Sequence, residues 1–122
     1  GEAEFVEILP QEGWEHQLSG FADSVRSEDL AIYEHRRCMV PSGPVSAFAP
    51  DLGPIDIAMI DVEGAEETVI GGLELAKVDI KWILLENVGE IGGREKPRDI
   101  LRDHGFRLRA RIGGADDLFE RL

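Results

Sequence analysis

Basic residues are scarce in this chain: 13 lysines and arginines stand against 25 aspartates and glutamates, a net charge of −12. Nucleic-acid affinity rests on clustered cations, so this balance argues against a phosphate-backbone partner. Arg36 with Arg37, and Arg107 with Arg109 and Arg111, are the local exceptions, read as solvated surface and as the outer face of an alternating strand. Cysteine occurs once, at Cys38. That excludes an internal disulfide, favours a reducing, cytoplasmic setting, and suits a small core residue better than a nucleophile. No apolar run approaches the ~20 residues that cross a bilayer, and no charged start with an apolar stretch marks a secretory signal, so the expectation includes no membrane contact. His16, His35 and His104 form no zinc-ligand spacing, and neither a nucleophile elbow nor a phosphate-loop motif is present. What remains, at 122 residues and 43% hydrophobic, is expected to be a single domain over 1–122 with enough core to fold without staples.

The first third of the chain is weakly patterned. Residues 3–8 alternate loosely, with Ala3 and Phe5 on the side opposite Glu4 and Val6, which suits a half-exposed strand next to a missing neighbour. From Pro10 to Asp29 the pattern dissolves around Gly13, Ser19, Gly20 and Ser24, with Trp14 and Phe21 expected to pin the segment down. Ala31–Val40 reads as a strand, followed by a turn at Pro41, Gly43 and Pro44 and a short helical piece through Phe48.

The second part is strongly patterned. IDIAMIDV from Ile55 is a near-continuous apolar run, the mark of a strand covered on both faces. Gly64 follows, and Ala65, Val69, Leu73 and Ala76 then recur at helical spacing, with Glu66 and Glu67 early and Lys77 late. IKWILLE, Ile80 to Glu86, is a second apolar run, so one crossover helix joins two parallel strands. Beyond the loop NVGEIGGREK, with its glycines at 89, 92 and 93, Pro97 opens a short helix that Gly105 stops. The run FRLRARI alternates strictly, with Phe106, Leu108, Ala110 and Ile112 toward the core and three arginines toward water, and DLFERL returns as a final strand. The fold class is therefore α/β: part of a doubly wound Rossmann-like sheet, mostly parallel, with an antiparallel C-terminal edge strand.

In open α/β sheets ligands lie beyond the carboxyl ends of the strands. Asp61 closes the first buried strand and Glu86 the second, so both carboxylates are expected at one rim, with Glu63 and Glu66 close behind. A carboxylate ending an apolar buried strand has to be desolvated, which is costly unless it is paired or used, and this favours a functional Asp61 and Glu63. Asp61 and Glu63 also have the oxygen chemistry of hard-metal ligands, though the spacing alone assigns no metal. Gly64 supplies a bend without a Cβ.

IDIAMIDVEGAEETVIGGL, with ILLE about twenty residues on and a GF-to-DDLF ending, resembles the C-terminal half of the FkbM family of S-adenosylmethionine-dependent methyltransferases. The resemblance covers most of residues 37–122; the family commonly carries Lys where this chain has Met59. It implies O-methylation of a small-molecule hydroxyl acceptor, as in natural-product tailoring or sugar modification, with S-adenosylmethionine as cofactor. Asp61 would face the transfer crevice, with Val62 beside it on the cofactor side. Glu63 would line the substrate side, and either acid could be general base or metal ligand. Glu66 and Glu86 would support the substrate rim, and Asn87 would hydrogen-bond a substrate hydroxyl. The glycine-rich turn and ribose-binding acid that begin the family's domain have no match here. The chain is therefore expected to be the C-terminal portion of a class I methyltransferase fold, inactive alone and with an incomplete cofactor site. Two other readings carry expectations. A non-catalytic module would form a homodimer or higher oligomer through an exposed edge, and a phosphoacceptor receiver domain would need a Lys after a later strand, where Glu86 and Asn87 stand instead.

Overall fold

A computed structural model of the chain describes residues 1–89 and 92–122. Contacts divide it into two compact units, Gly1–Gly43 with Glu63–Ala65, and Pro44–Val62 with Glu66–Leu122.

In the first unit, strand β1 (Glu2–Ile8) lies between β2 (Gly20–Phe21) and β3 (His35–Pro41), antiparallel to both. The expected missing neighbour is thus present on either side of β1, and it is Val6 and Ile8 that are fully buried. Glu15, in a 3-10 turn over Glu15–Leu18, is buried because its carboxylate accepts the amides of Gln11, Glu12 and Gly13 at 2.9–3.2 Å. Burial works against that charge, and the amide hydrogen bonds outweigh it, holding the carboxyl below its ordinary range. The anchors Trp14 and Phe21 stack edge-to-face on Tyr33 and Phe5 at 5.9 and 6.1 Å. Ala31 and Ile32 belong not to a strand but to helix α1 (Ser27–Ile32), whose first turn is fixed by a 3.0 Å ion pair between Arg26 and Asp29. Cys38 is exposed rather than in the core, because β3 is an edge strand with both faces largely open.

The second unit contains α2 (Val45–Phe48), β4 (Ile55–Ile60), α3 (Glu66–Gly72), β5 (Ile80–Glu86), α4 (Glu95–Asp103), β6 (Phe106–Ile112) and β7 (Asp116–Arg121). Its sheet runs β4-β5-β7-β6. β4 and β5 are parallel, with Ile57 opposite Trp82 and Ile60 opposite Leu85. β7 is antiparallel to both β5 and β6. The C-terminal strand is therefore an inner strand and β6 the edge, and β4–β5 is the single parallel pairing of the described sheet. Ile60, Ile83, Leu85 and Phe119 belong to one core cluster and pack with Ile70 of α3 and Leu101 of α4. Each such side chain contributes roughly 1.5–3 kcal/mol by leaving water.

Three expectations are corrected in this unit. β4 is not covered on both faces: Ile57 and Met59, which point away from α3 and α4, are 49% and 74% exposed. The helix after Gly64 ends at Gly72, and Lys77 lies beyond it, paired with Glu74 at 2.7 Å. The alternation of FRLRARI breaks at a bulge between Leu108 and Ala110. One extra residue turns Ala110 toward the Leu118 side and brings Arg111 opposite Asp117, so Arg111 does not face water as its neighbours in sequence suggest.

Glu74 ties two parts of this unit together. Its carboxylate accepts from Lys77 and from the Ser46 amide in the first turn of α2, and these bonds lower its carboxyl from 4.5 to about 2. A carboxyl depressed on folding stabilises fully above its ordinary range and stops doing so as pH falls through the depressed value. The difference in urea midpoint between the native chain and Glu74→Gln is accordingly expected to be largest at neutral pH and to vanish near pH 2. A difference independent of pH would remove this role.

Candidate functional site

The registered pair Ile60 and Leu85 places the next residues, Asp61 and Glu86, at the same end of the sheet. Asp61 is exposed and Glu86 half-buried, and a carboxylate oxygen of each lies within 4.8 Å of the other; Glu63 is exposed. Asp61 is therefore not desolvated, and the burial argument for it fails: the apolar strand ends at Ile60, one residue earlier. The bend after it is as the sequence indicates, with Glu63 and Gly64 both at positive φ, 49° and 100°. Val62 packs its side chain against the hydrophobic core.

Glu66 and Asn87 have other surroundings. Glu66 is buried at the start of α3 and pairs with Arg94 at 2.9 Å, while Glu67 pairs with Lys96 at 2.7 Å. Asn87 is fully buried and its amide is committed: Nδ2 donates to the Arg94 carbonyl and to Asp117 at 2.9 and 2.8 Å, and Oδ1 accepts the Arg94 amide. Asn87 thus ties the end of β5 to the chain that leads into α4 and to Asp117 of β7.

Behind the rim sits Asp117, fully buried on β7. It takes two hydrogen bonds from the Arg98 guanidinium, at 2.8 and 3.1 Å, one from Arg111 at 2.8 Å and one from Asn87. Burial alone would raise its carboxyl; the hydrogen bonds from Arg98, Asn87 and Arg111 outweigh that and hold it below the ordinary range. Arg98 also donates to Glu95 and to the Gly92 carbonyl, and Arg111 to the carbonyls of Asn87 and Gly114. Of the described rim-loop glycines, Gly92 is thus held by this network through its carbonyl; Glu90 and Ile91 lie outside the described residues. At Gly93, φ is 86°, and a Cβ would meet Arg111, Arg98 and Asn87 nitrogens at 2.9–3.0 Å.

Sequence reasoning finds the acids at the strand ends and misses Asp117, Arg98 and Arg111. Their one signal is charge inside otherwise amphipathic segments, Asp117 two residues before the core residue Phe119 and Arg98 three before Leu101. Chemically, the exposed acids can accept a proton or hold a hard cation, and the buried one builds the loop beside them.

An α/β chain with carboxylates at the ends of parallel strands defines a class only broadly, and comparison narrows it. Residues 3–108 of the 122 match the sequence model of the methyltransferase FkbM domain, and the chain belongs to that family. No curated protein and no solved structure matches it. None of the described helices is long and apolar enough to cross a membrane.

Removing the charge of Asp117 strands two arginines, one of them buried. Asp117→Asn is expected to cost about 3 kcal/mol or more in denaturant unfolding. Gly93→Ala is expected to cost at least about 1 kcal/mol, since it adds left-handed strain to a collision with polar atoms. Native-like stability in either variant would show that the network does not hold the loop.

Proposed function

We propose that this chain contributes the substrate-side half of a site for S-adenosylmethionine-dependent methyl transfer to a hydroxyl oxygen, on a natural product or a sugar. Family membership supports methyl transfer. The observation that carries the site assignment is the convergence of Asp61 and Glu86 at one end of the parallel pair, with Glu63 following the same bend.

S-Adenosylmethionine supplies an electrophilic methyl group on a positively charged sulfonium. The donor set suits that charge, being acidic oxygens near the surface. An alcohol is a poor nucleophile while protonated. A carboxylate of Asp61 or Glu63 would take the hydroxyl proton as the oxygen forms its bond to the methyl carbon and the carbon–sulfur bond breaks. Asp61 and Val62 would stand on the cofactor side, Glu63 on the acceptor side. Glu86 would hold a polar acceptor group, and Glu66 would act through Arg94, which it pairs with. Asn87 would be a positioning residue, its amide being committed to the loop. No glycine-rich turn for the methionine part is present among these residues, so we further propose that the site is completed by chain beyond them and that this chain alone is inactive.

Two outcomes are expected. Calorimetric titration of this chain with S-adenosylmethionine gives weak or no binding, and saturation at low micromolar cofactor would contradict the half-site. Joined to the glycine-rich first half of a family relative, the chain transfers labelled methyl to hydroxyl acceptors. Asp61→Ala then lowers the rate about 100-fold or more with an unchanged melting curve. Undiminished turnover in that variant would eliminate the role of Asp61.

A further inference from the structure

Arg94 precedes α4, and its backbone, stem and guanidinium each meet a segment that follows one of the two rim acids. Its amide donates to Oδ1 of Asn87 and its carbonyl accepts from Nδ2, both at 2.9 Å, so the side chain directly after Glu86 grips both polar groups of one residue. Its stem runs against Gly89, where a Cβ would stand 2.9 Å from Arg94 Cγ and 3.4 Å from Cδ. Its guanidinium reaches α3, the helix into which β4 leads after Asp61, and donates to Glu66 at 2.9 Å and to Glu67 at 3.5 Å. Glu66 is buried, so this contact is screened far less than a surface ion pair. The exits of β4 and β5 are thus braced above the rim by one side chain, as the registered Ile60 and Leu85 brace the strands below it.

We propose that Arg94 is a positioning residue, which by joining Glu66 to Asn87 fixes the separation of Asp61 and Glu86 at the rim. The proposal rests on the reading of that rim as part of the methyl-transfer site. There the acceptor oxygen has to stand in line with the methyl carbon and the sulfur, and a misplacement of about 1 Å costs about 100-fold in rate. The side-chain type suits the task. A planar guanidinium fork reaches two carboxylates at once, whereas a lysine ammonium is a single point of charge on a flexible stem. The two carboxylates are not equivalent: Glu67 has a second cation, Lys96, at 2.7 Å, and its own distance to Arg94 is the longer one. Glu66 is therefore the arm through which Arg94 holds α3, and Asn87 the arm through which it holds the end of β5.

A thiol pair at the two rim positions tests this in the whole chain without need of turnover. In a Cys38→Ser background, Asp61→Cys and Glu86→Cys end neighbouring strands about 4.8 Å apart, within the Cα separation of roughly 4.4–6.8 Å that a disulfide spans. Equilibration with reduced and oxidised glutathione reads the effective concentration of one thiol at the other. Arg94→Gln is expected to lower it about tenfold or more, and Arg94→Lys to restore part of the loss. Glu66→Gln is expected to act as Arg94→Gln does, and Glu67→Gln to leave the value near that of the parent pair. Glu74→Gln, which removes contacts to Ser46 and Lys77 and touches neither rim exit, serves as the control for lost stability and is expected to change nothing. An effective concentration indifferent to Arg94→Gln, or lowered as much by Glu74→Gln, would overturn the role of Arg94 and leave the rim as it stands. A pair that does not close with Arg94 in place would contradict the rim itself, and the proposal with it.

Discussion

The parallel pairing of β4 with β5 is the constraint on which the site depends. Two strands running the same way end at the same rim, so Asp61 and Glu86, each one step past the registered pair Ile60 and Leu85, come together. An antiparallel pair would send them to opposite ends. The crossover through α3 fixes the parallel direction, and burial of Ile60, Ile83 and Leu85 with Ile70 and Leu101 fixes which faces align. Gathering acids in this way carries a cost that exposure keeps small. Two like charges about 4 Å apart repel by about 1 kcal/mol in water and by about 4 kcal/mol at the effective dielectric near a protein surface. Water around Asp61 is therefore part of what allows it to stand beside Glu86 and a hydrophobic core.

Asp117 shows the opposite solution for a carboxylate. It is fully buried, and it is stable there because Arg98, Arg111 and Asn87 satisfy it together. Those partners come from the exit of β5, from α4 and from β6, so a single acid fastens three elements around the chain that leaves Glu86. Asn87 belongs to this framework rather than to the open rim. In the proposed site the exposed acids meet the reactants and the buried acid fixes where they stand.

Much of this is legible in the residues. The IDVEGAE segment carries the family, and the two apolar runs with a crossover between them locate β4 and β5, hence the rim. What is not legible depends on contacts that no local pattern encodes. FRLRARI alternates without interruption, so nothing in it announces a bulge at Arg109, yet that bulge is what turns Arg111 inward to Asp117. Two adjacent acids at Asp116 and Asp117 do not say which of them is buried until the partners on α4 and β6 are known. Apolar residues on both sides of β4 suggest cover on both faces, whereas α3 and α4 occupy one. Cys38 departs from expectation for a related reason: a small residue in a strand gives no sign that the strand lies at an open edge.

Asp61 and Glu86 share one end of a parallel pair. Nuclear Overhauser contacts between β4 and β5 in isotopically labelled protein test it most directly. Evenly spaced amide-to-α-proton contacts linking Ile57–Ile60 with Trp82–Leu85 are the predicted result, following the parallel register. Short α-proton to α-proton contacts between the two strands, the sign of antiparallel pairing, would separate the two acids and contradict it.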